Sequence, residues 1–386
     1  IKKRIITNLD ATAFPICPIV PSIDIVHNRI TLEIFRGCTQ GCRFCQAGII
    51  YRPVRERSED VLLDLAEKSL QNTGYEEISL SSLSSSDYSQ IEALIKKLVD
   101  RYQERGVGVS LPSLRIDGFS IKLARESQRV RKTGLTFAPE VGTERLNNVV
   151  NKNVSDNDLY QTAQFAFQEG WKRIKLYFMI GLPTETWKDI EGIIDMVKTV
   201  ERIGRKVAGK KFSLSVSINA FVPKSHTPFQ WTVQEKEEEL RRKFSYIGTK
   251  IRSKFISYSF SDTRLSLLEA VFARGDRRLG MVLEEAYKMG CKFDSWREYF
   301  YFHKWLEAFN KSQVDIYFYA YRERQKMEIL PWDIIDCGVT KEFLWSEWQK
   351  ALQGVSTDDC RISSCSGCGL QEICENLPEK ETSKIL

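Results

Sequence analysis

The chain has 386 residues, 42% of them hydrophobic and 28% charged, which suits one large domain of roughly 200 to 250 residues with a smaller appendage. No apolar run approaches the length of a membrane-spanning helix and no stretch resembles a secretory signal, so a cytoplasmic protein without membrane contact is expected. The net charge of +6 is dispersed among residues of both signs instead of being gathered into a basic tail, which permits nucleic acid as a partner without pointing to it.

Residues 1–29 read as an extended, proline-containing lead-in. Short β-rich runs follow at 30–36, 77–80, 108–111, 134–137, 173–179 and 214–220. Amphipathic stretches at 60–71, 89–104, 156–169, 187–203 and 233–254 lie between and after them. Strand and helix in alternation require parallel strands with crossover connections, in either a doubly wound sheet or a barrel. The informative motifs sit just after strands, where barrels collect their chemistry, so an α/β fold with a partial (β/α)6 TIM-like barrel over 30–258 is expected.

Beyond it, 259–353 reads as a helical region rich in aromatics, and the stripe of Trp296, Tyr299, Phe300, Tyr301, Phe302 and Trp305 as core packing. Residues 354–386 form a short cysteine-rich tail. Three basic groups, Arg52/Arg55/Arg57, Arg241/Arg242/Lys243 and Arg274/Arg277/Arg278, read as solvated faces. His27, His226 and His303 lack coordinating neighbours in the sequence and read as packing or turn residues.

Cysteine placement carries the chemistry. Ten cysteines in a chain this large are not needed as disulfides, and two tight clusters favour metal. The first follows the first strand: Cys38, Cys42 and Cys45, spaced C-x3-C-x2-C among Gly37, Gly41 and Gly48. Thiolates are the ligands that iron-sulfur iron prefers, and three on one glycine-rich loop can hold three irons of a cubane while leaving the fourth open to substrate. A zinc site short of one ligand is the other reading of this spacing. The second cluster, Cys360, Cys365, Cys368 and Cys374, is spaced C-x4-C-x2-C-x5-C and reads as a second iron-sulfur cluster or a structural zinc, with iron-sulfur favoured by the company of the first.

The first motif resembles the signature of the radical S-adenosylmethionine (SAM) superfamily. That resemblance implies that the open iron chelates the methionine moiety of SAM. An electron from a donor such as flavodoxin or ferredoxin then breaks the sulfur to C5′ bond, giving methionine and a 5′-deoxyadenosyl radical. Phe44 matches the aromatic beside the adenine.

Weaker resemblances follow in chain order. Ser84 and Ser85, in Ser-Ser-Leu-Ser-Ser-Ser-Asp-Tyr, fall where a Gly-Gly-Glu-like turn meets the SAM amino group, in a form similar to that of methylthiotransferases. Arg115 suits the SAM carboxylate, as does Arg145. Glu140, in Phe-Ala-Pro-Glu-Val-Gly-Thr-Glu-Arg-Leu, would reach ribose or substrate, and Gly181 borders adenine. Cys38, Cys42, Cys45 and Glu140 are thus the expected catalytic residues.

The stretch 220–229 resembles the last strand of methylthiotransferase barrels. Nearly the whole chain is similar to a family of uncharacterised bacterial radical SAM proteins that often carry a cobalamin-binding-like domain ahead of the barrel, which here would precede Ile1. The expected function is SAM cleavage for modification of an unidentified substrate, with RNA methylthiolation or methylation as the leading targets. A cobalamin-dependent methyltransferase of a small molecule, or a non-catalytic iron-sulfur or zinc scaffold, are the alternatives.

Overall fold

The computed structural model describes residues 1–111, 116, 118–127, 129–130 and 134–377. Its frame is seven parallel strands in two sheets: β1 (Ile30–Glu33), β2 (Glu77–Ser81) and β3 (Gly108–Ser110), then β4 (Leu135–Glu140), β5 (Arg173–Ile180), β6 (Ser213–Ala220) and β7 (Ile256–Phe260). Within each sheet the spatial order follows the chain order, with Leu32 opposite Leu80 and Leu176 opposite Val216. A doubly wound sheet would reverse its order at a switch point, whereas a barrel winds onward in one direction. The expected α/β barrel is therefore the fold, and among the described residues β3 and β4 are not paired.

Two expectations need correction. β7 is a seventh strand that the sequence did not announce: Ile256 is its one buried residue, and the edge alternation Ser-Tyr-Ser is too polar to read as a strand. The run 30–36 is also not one strand. It breaks after Glu33, and Phe35–Arg36 pairs antiparallel with Arg55–Glu56, forming a small flap at either end of the cysteine loop.

Helices close each connection. The longest, α7 (Trp187–Ala208), starts with a capping box between Thr186 and Asp189, which satisfies orphan donors of its first turn. It buries Ile190, Ile193, Ile194, Val197 and Val200, a stripe at helical spacing, against Leu176, Val216 and Ile218 of the sheet. Gly192 lets this helix touch the loop after β4. A Cβ built on it would lie 2.0 Å from the Gly142 carbonyl oxygen, and one on Gly142 would lie 2.1 Å from the Ile193 nitrogen.

The helical region, from α9 (Thr263–Arg274) through α10 (Leu279–Lys288), α11 (Phe302–Lys311) and α12 (Ile316–Tyr321), has its own core around Leu267, Val271, Val282, Trp305 and Phe309. Only part of the aromatic stripe joins it: Trp296, Tyr299 and Tyr301 are exposed. The reason is local, since 293–301 is a turn and a single 3-10 element, where helical spacing does not select one face.

The basic groups differ from expectation too. Arg52, Arg55, Arg57, Lys243 and Arg274 are buried, with most of their donors on carbonyls and carboxylates, although Arg52 Nη1, Arg57 Nε and Arg274 Nε find no partner among the described residues. Arg55 reaches Ile6 O (3.1 Å) and Tyr51 O (2.8 Å), while Arg57 reaches Leu9 O and Thr12 Oγ1, so the lead-in is strapped to the flap. No helix among the described residues is long and apolar enough to cross a membrane.

Gly192→Ala should lower stability by about 1–3 kcal/mol, because the added methyl has no room and the helix must move. Urea unfolding followed by circular dichroism measures this, and an unchanged midpoint would refute the tight contact.

Candidate functional site

The cysteine loop leaves the C-terminal end of β1 and enters a short helix, α1 (Gln46–Ile50). Gly37 (φ 100°) and Gly41 (φ 76°) take left-handed conformations, and the space at Gly41 is already filled by the Asn151 side chain. Cys45 caps α1, its Sγ accepting from the Gly48 nitrogen at 3.3 Å, and its own nitrogen donates to Cys42 O at 3.0 Å. Cys42 and Cys45 therefore share one tight turn at the sheet's C-terminal end, and Cys38 precedes it on the same loop.

All ten cysteines are free thiols. Burial pushes the Cys42 thiol up to about 12 against the pull of Lys152, and the neighbouring Cys45 and Cys38 push it the same way. Burial raises Cys38 as well, opposed by the Gln40 amide and Arg361. Among the described residues no group of three or more His, Cys, Asp or Glu is already drawn into a ligand cage. The donor chemistry nevertheless fits a cubane: three soft ligands on one loop suffice for it, but leave zinc without a fourth. Because burial favours the protonated form of Cys38 and Cys42, metal uptake at these two must release protons.

Other groups gather around the loop. Glu140, at the end of β4 with φ 71°, is partly buried and paired with Lys152 at 3.1 Å. Burial raises the Glu140 carboxyl against that lysine. Burial also pulls the Lys152 ammonium down, but Glu140, Cys42 and Cys45 outweigh it, so the lysine stays a cation beside the loop. Gln40 donates to Asp87 at 2.8 Å, tying the loop to the turn after β2. Phe44 is half-buried and packs on the cluster that contains Ile49 and Val150.

The remaining expected residues divide. Ser84 and Ser85 lie in the turn after β2, but the Ser85 hydroxyl is used internally, with Leu80 O at 3.1 Å and Ser82 Oγ at 3.0 Å. Gly181 (φ 80°) ends β5, where its nitrogen donates to both Glu185 oxygens at 2.9 Å, and Glu185 is itself held by buried Lys243. Arg145 is not gathered with the loop's partners: its guanidinium is spent on Thr184 and the Asp189 carboxylate of α7. Arg115 lies outside the described residues. His27 lies 2.7 Å from the Arg29 guanidinium and His226 occupies a turn with φ 55°.

What the sequence did not reveal is where the C-terminal tail goes. Helix α13 (Lys341–Gln353) and the tail fold back over the mouth of the barrel, where Phe343, Leu344, Trp348 and Leu370 join Ile49, Val150, Leu182, Phe229 and Trp231 in one core. Arg43, inside the cysteine motif, is fully buried and paired with Glu347 of α13 at 3.1 Å. It also donates to Asn148 O (2.8 Å) and Val355 O (2.7 Å). Asn151 bridges Thr357 O (3.0 Å) to Gly41 O (3.2 Å) and Gln40 O (3.3 Å).

The four tail cysteines are close enough to influence one another: burial raises the Cys374 thiol, with Cys368, Cys360 and Cys365 adding to it. Cys360 is raised by burial also, against the pull of Arg52. Of the residues the sequence reading missed, Asn151 and Lys152 had a signal, since they directly follow the helix that begins at Glu144, whereas Arg43 and Arg361 had only their place next to cysteines.

A model of the Radical SAM superfamily matches residues 32–197. An uncharacterized protein of Methanocaldococcus jannaschii is 35% identical over 253 residues, covering 66% of this chain and 53% of the relative, so the chain spans about half of that protein's length. Among solved structures, the radical SAM methyltransferase TsrM of Kitasatospora setae is 14% identical with a TM-score of 0.39, over 49% of this chain and 36% of that one. The cobalamin-dependent SAM radical enzyme OxsB is 11% identical with a TM-score of 0.41, over 90% and 58%.

Burial pushes the Glu347 carboxyl up, but Lys350, Arg43 and Thr357 outweigh it and hold it below its ordinary value of 4.5. Its contribution to folding is thus complete above that value and is lost as pH falls through the lowered one. Glu347→Gln removes the contribution at neutral pH and strands a buried cation, at a cost of about 3–5 kcal/mol. Calorimetry together with limited proteolysis of the C-terminus at pH 7 and below pH 4.5 checks this; equal melting of variant and wild type at pH 7 would sink it.

Proposed function

We propose that this chain is an enzyme that reductively cleaves SAM with a 4Fe-4S cluster held by Cys38, Cys42 and Cys45, a reading supported by the match of residues 32–197 to the Radical SAM superfamily. The observation that carries the reading is the placement of these three free thiols on one loop at the C-terminal end of the first barrel strand, inside the matched segment. When bound, the cluster supplies an electron to the sulfonium of SAM, releasing methionine and a 5′-deoxyadenosyl radical for hydrogen abstraction from the substrate.

The chain's own residues do the rest. Gly37 and Gly41 give the loop its left-handed turns, and Lys152 keeps a positive charge against thiolates that bear negative charge once metallated. Phe44, Ser84, Ser85 and Gly181 border SAM, with Arg115 and Arg145 as carboxylate partners; Arg145 would have to leave Asp189 to serve in this way. Glu140 faces ribose or substrate. The tail cysteines Cys360, Cys365, Cys368 and Cys374 hold a second metal centre, iron-sulfur or zinc, which their mutual influence supports. A flavodoxin or ferredoxin delivers the electron. The finer reading, methylation or methylthiolation of an RNA base, is supported by the resemblance of 220–229 to methylthiotransferases.

Anaerobic reconstitution, iron and sulfide counts, and an assay for 5′-deoxyadenosine with SAM and dithionite test this. Two cubanes give about eight irons, whereas about four irons with one zinc assigns zinc to the tail. Cys38→Ala should abolish deoxyadenosine formation and lose about four irons, and Cys365→Ser should lose only the tail metal. A wild-type protein that loads iron yet never forms deoxyadenosine, with or without added cobalamin, would overturn the reading in favour of a scaffold.

A further inference from the structure

The tail does more than cover the barrel mouth: it carries a cation to the cysteine loop. Arg361 directly follows Cys360, the first of the tail thiols. Its guanidinium donates to Asp87 O at 3.0 Å and lies 3.4 Å from Asp87 Oδ2, the same oxygen to which Gln40 of the loop donates at 2.8 Å. Asp359 orients it from the tail side, accepting from the guanidinium at 3.1 Å and from the Arg361 amide at 2.9 Å. Two further tethers fix the strand of tail leading to it: Val355 O on Arg43, and Thr357 on Asn151, which also binds Gln40 O and Gly41 O. Three of the residues that receive the tail, Gln40, Gly41 and Arg43, thus lie between Cys38 and Cys45.

We propose that Arg361 is a positioning residue of the cysteine loop: seated on Asp87 by the tail, it brings a positive charge to the Gln40 side of the loop and braces Gln40 through their shared carboxylate. The inference rests on the reading that this loop holds the 4Fe-4S cluster. Gln40, which shares the Asp87 carboxylate with Arg361, stands two residues after Cys38, so the guanidinium sits at that end of the loop. From the barrel, Lys152 is paired with Glu140 and directly follows Asn151, whose amide holds Gln40 O and Gly41 O, so one cation reaches the loop from the barrel and one from the tail. A nearby positive charge stabilises the more negative, reduced state of a bound cluster, and net charge and solvent exposure are among the levers that set cluster potentials. The barrel by itself would leave the Gln40 side without this charge.

The test compares wild type, Arg361→Gln and Arg361→Lys as full-length reconstituted proteins. Iron content is counted first, then the potential of the SAM-responsive cluster is followed by electron paramagnetic resonance during a dithionite titration. Arg361→Gln should keep its loop iron and shift to a more negative potential, and Arg361→Lys should return it towards the wild-type value. An unchanged potential in Arg361→Gln overturns the inference, as does an equal shift in both variants, which would mean a purely structural seat. If Arg361→Gln loses loop iron, Arg361→Lys decides: retention with a near wild-type potential supports the charge, and loss in both refutes it. A wild-type protein that takes up no cluster at the loop defeats the proposed function itself, and this inference with it.

Discussion

One buried guanidinium ties the two ends of the molecule together. Arg43 has no exposed surface, and its donors are shared among Glu347 of α13, the carbonyls that end α5 (Glu144–Val150), and Val355 of the tail. A buried cation is tolerated only when paired and hydrogen-bonded, so each of these partners has to be in place for the others to be stable. The arginine lies inside the cysteine motif itself, one residue after Cys42. Formation of the loop and docking of the tail are therefore energetically coupled, although about 300 residues separate Arg43 from Glu347.

That constraint explains the layers above the barrel. Helix α5 presents its last carbonyls to Arg43, and the next two residues, Asn151 and Lys152, turn back to the loop. Asn151 takes the left-handed conformation that ends the helix, a conformation asparagine accepts more readily than most residues. Its amide then fills the space beside Gly41 that any side chain at that position would need. The apolar surface of α13 closes over the same ground, so water is displaced from the barrel mouth by Phe229, Trp231, Phe343 and Trp348.

The charges follow the same geometry. Little-exposed charges of the barrel are organised in pairs, Glu140 with Lys152 and Glu185 with Lys243, while the exposed Arg361 meets Asp87 and Asp359. In a poorly solvated setting each pair holds its partner's orientation more firmly than it would in water. Arg145 illustrates the limit of reading such residues by motif. It stands in the expected sequence position, yet its charge neutralises Asp189, which itself caps α7 and accepts from Thr143.

The sequence by itself determined the alternation of strand and helix, the grouping of Cys38, Cys42 and Cys45 on one loop after the first strand, and the clustering of the tail thiols, because these depend on residue type and short spacing. Periodicity also located six of the seven strands; the polar edge strand β7 escaped it because one buried residue in five carries no pattern. Only the tertiary structure decided which arginines are buried, which aromatics are exposed, and that the tail lies on the loop. Those outcomes depend on contacts between residues far apart in the chain, such as Arg43 with Glu347 and Arg361 with Asp87, and a lone arginine beside a cysteine bears no mark of the distant carboxylate that will pair with it.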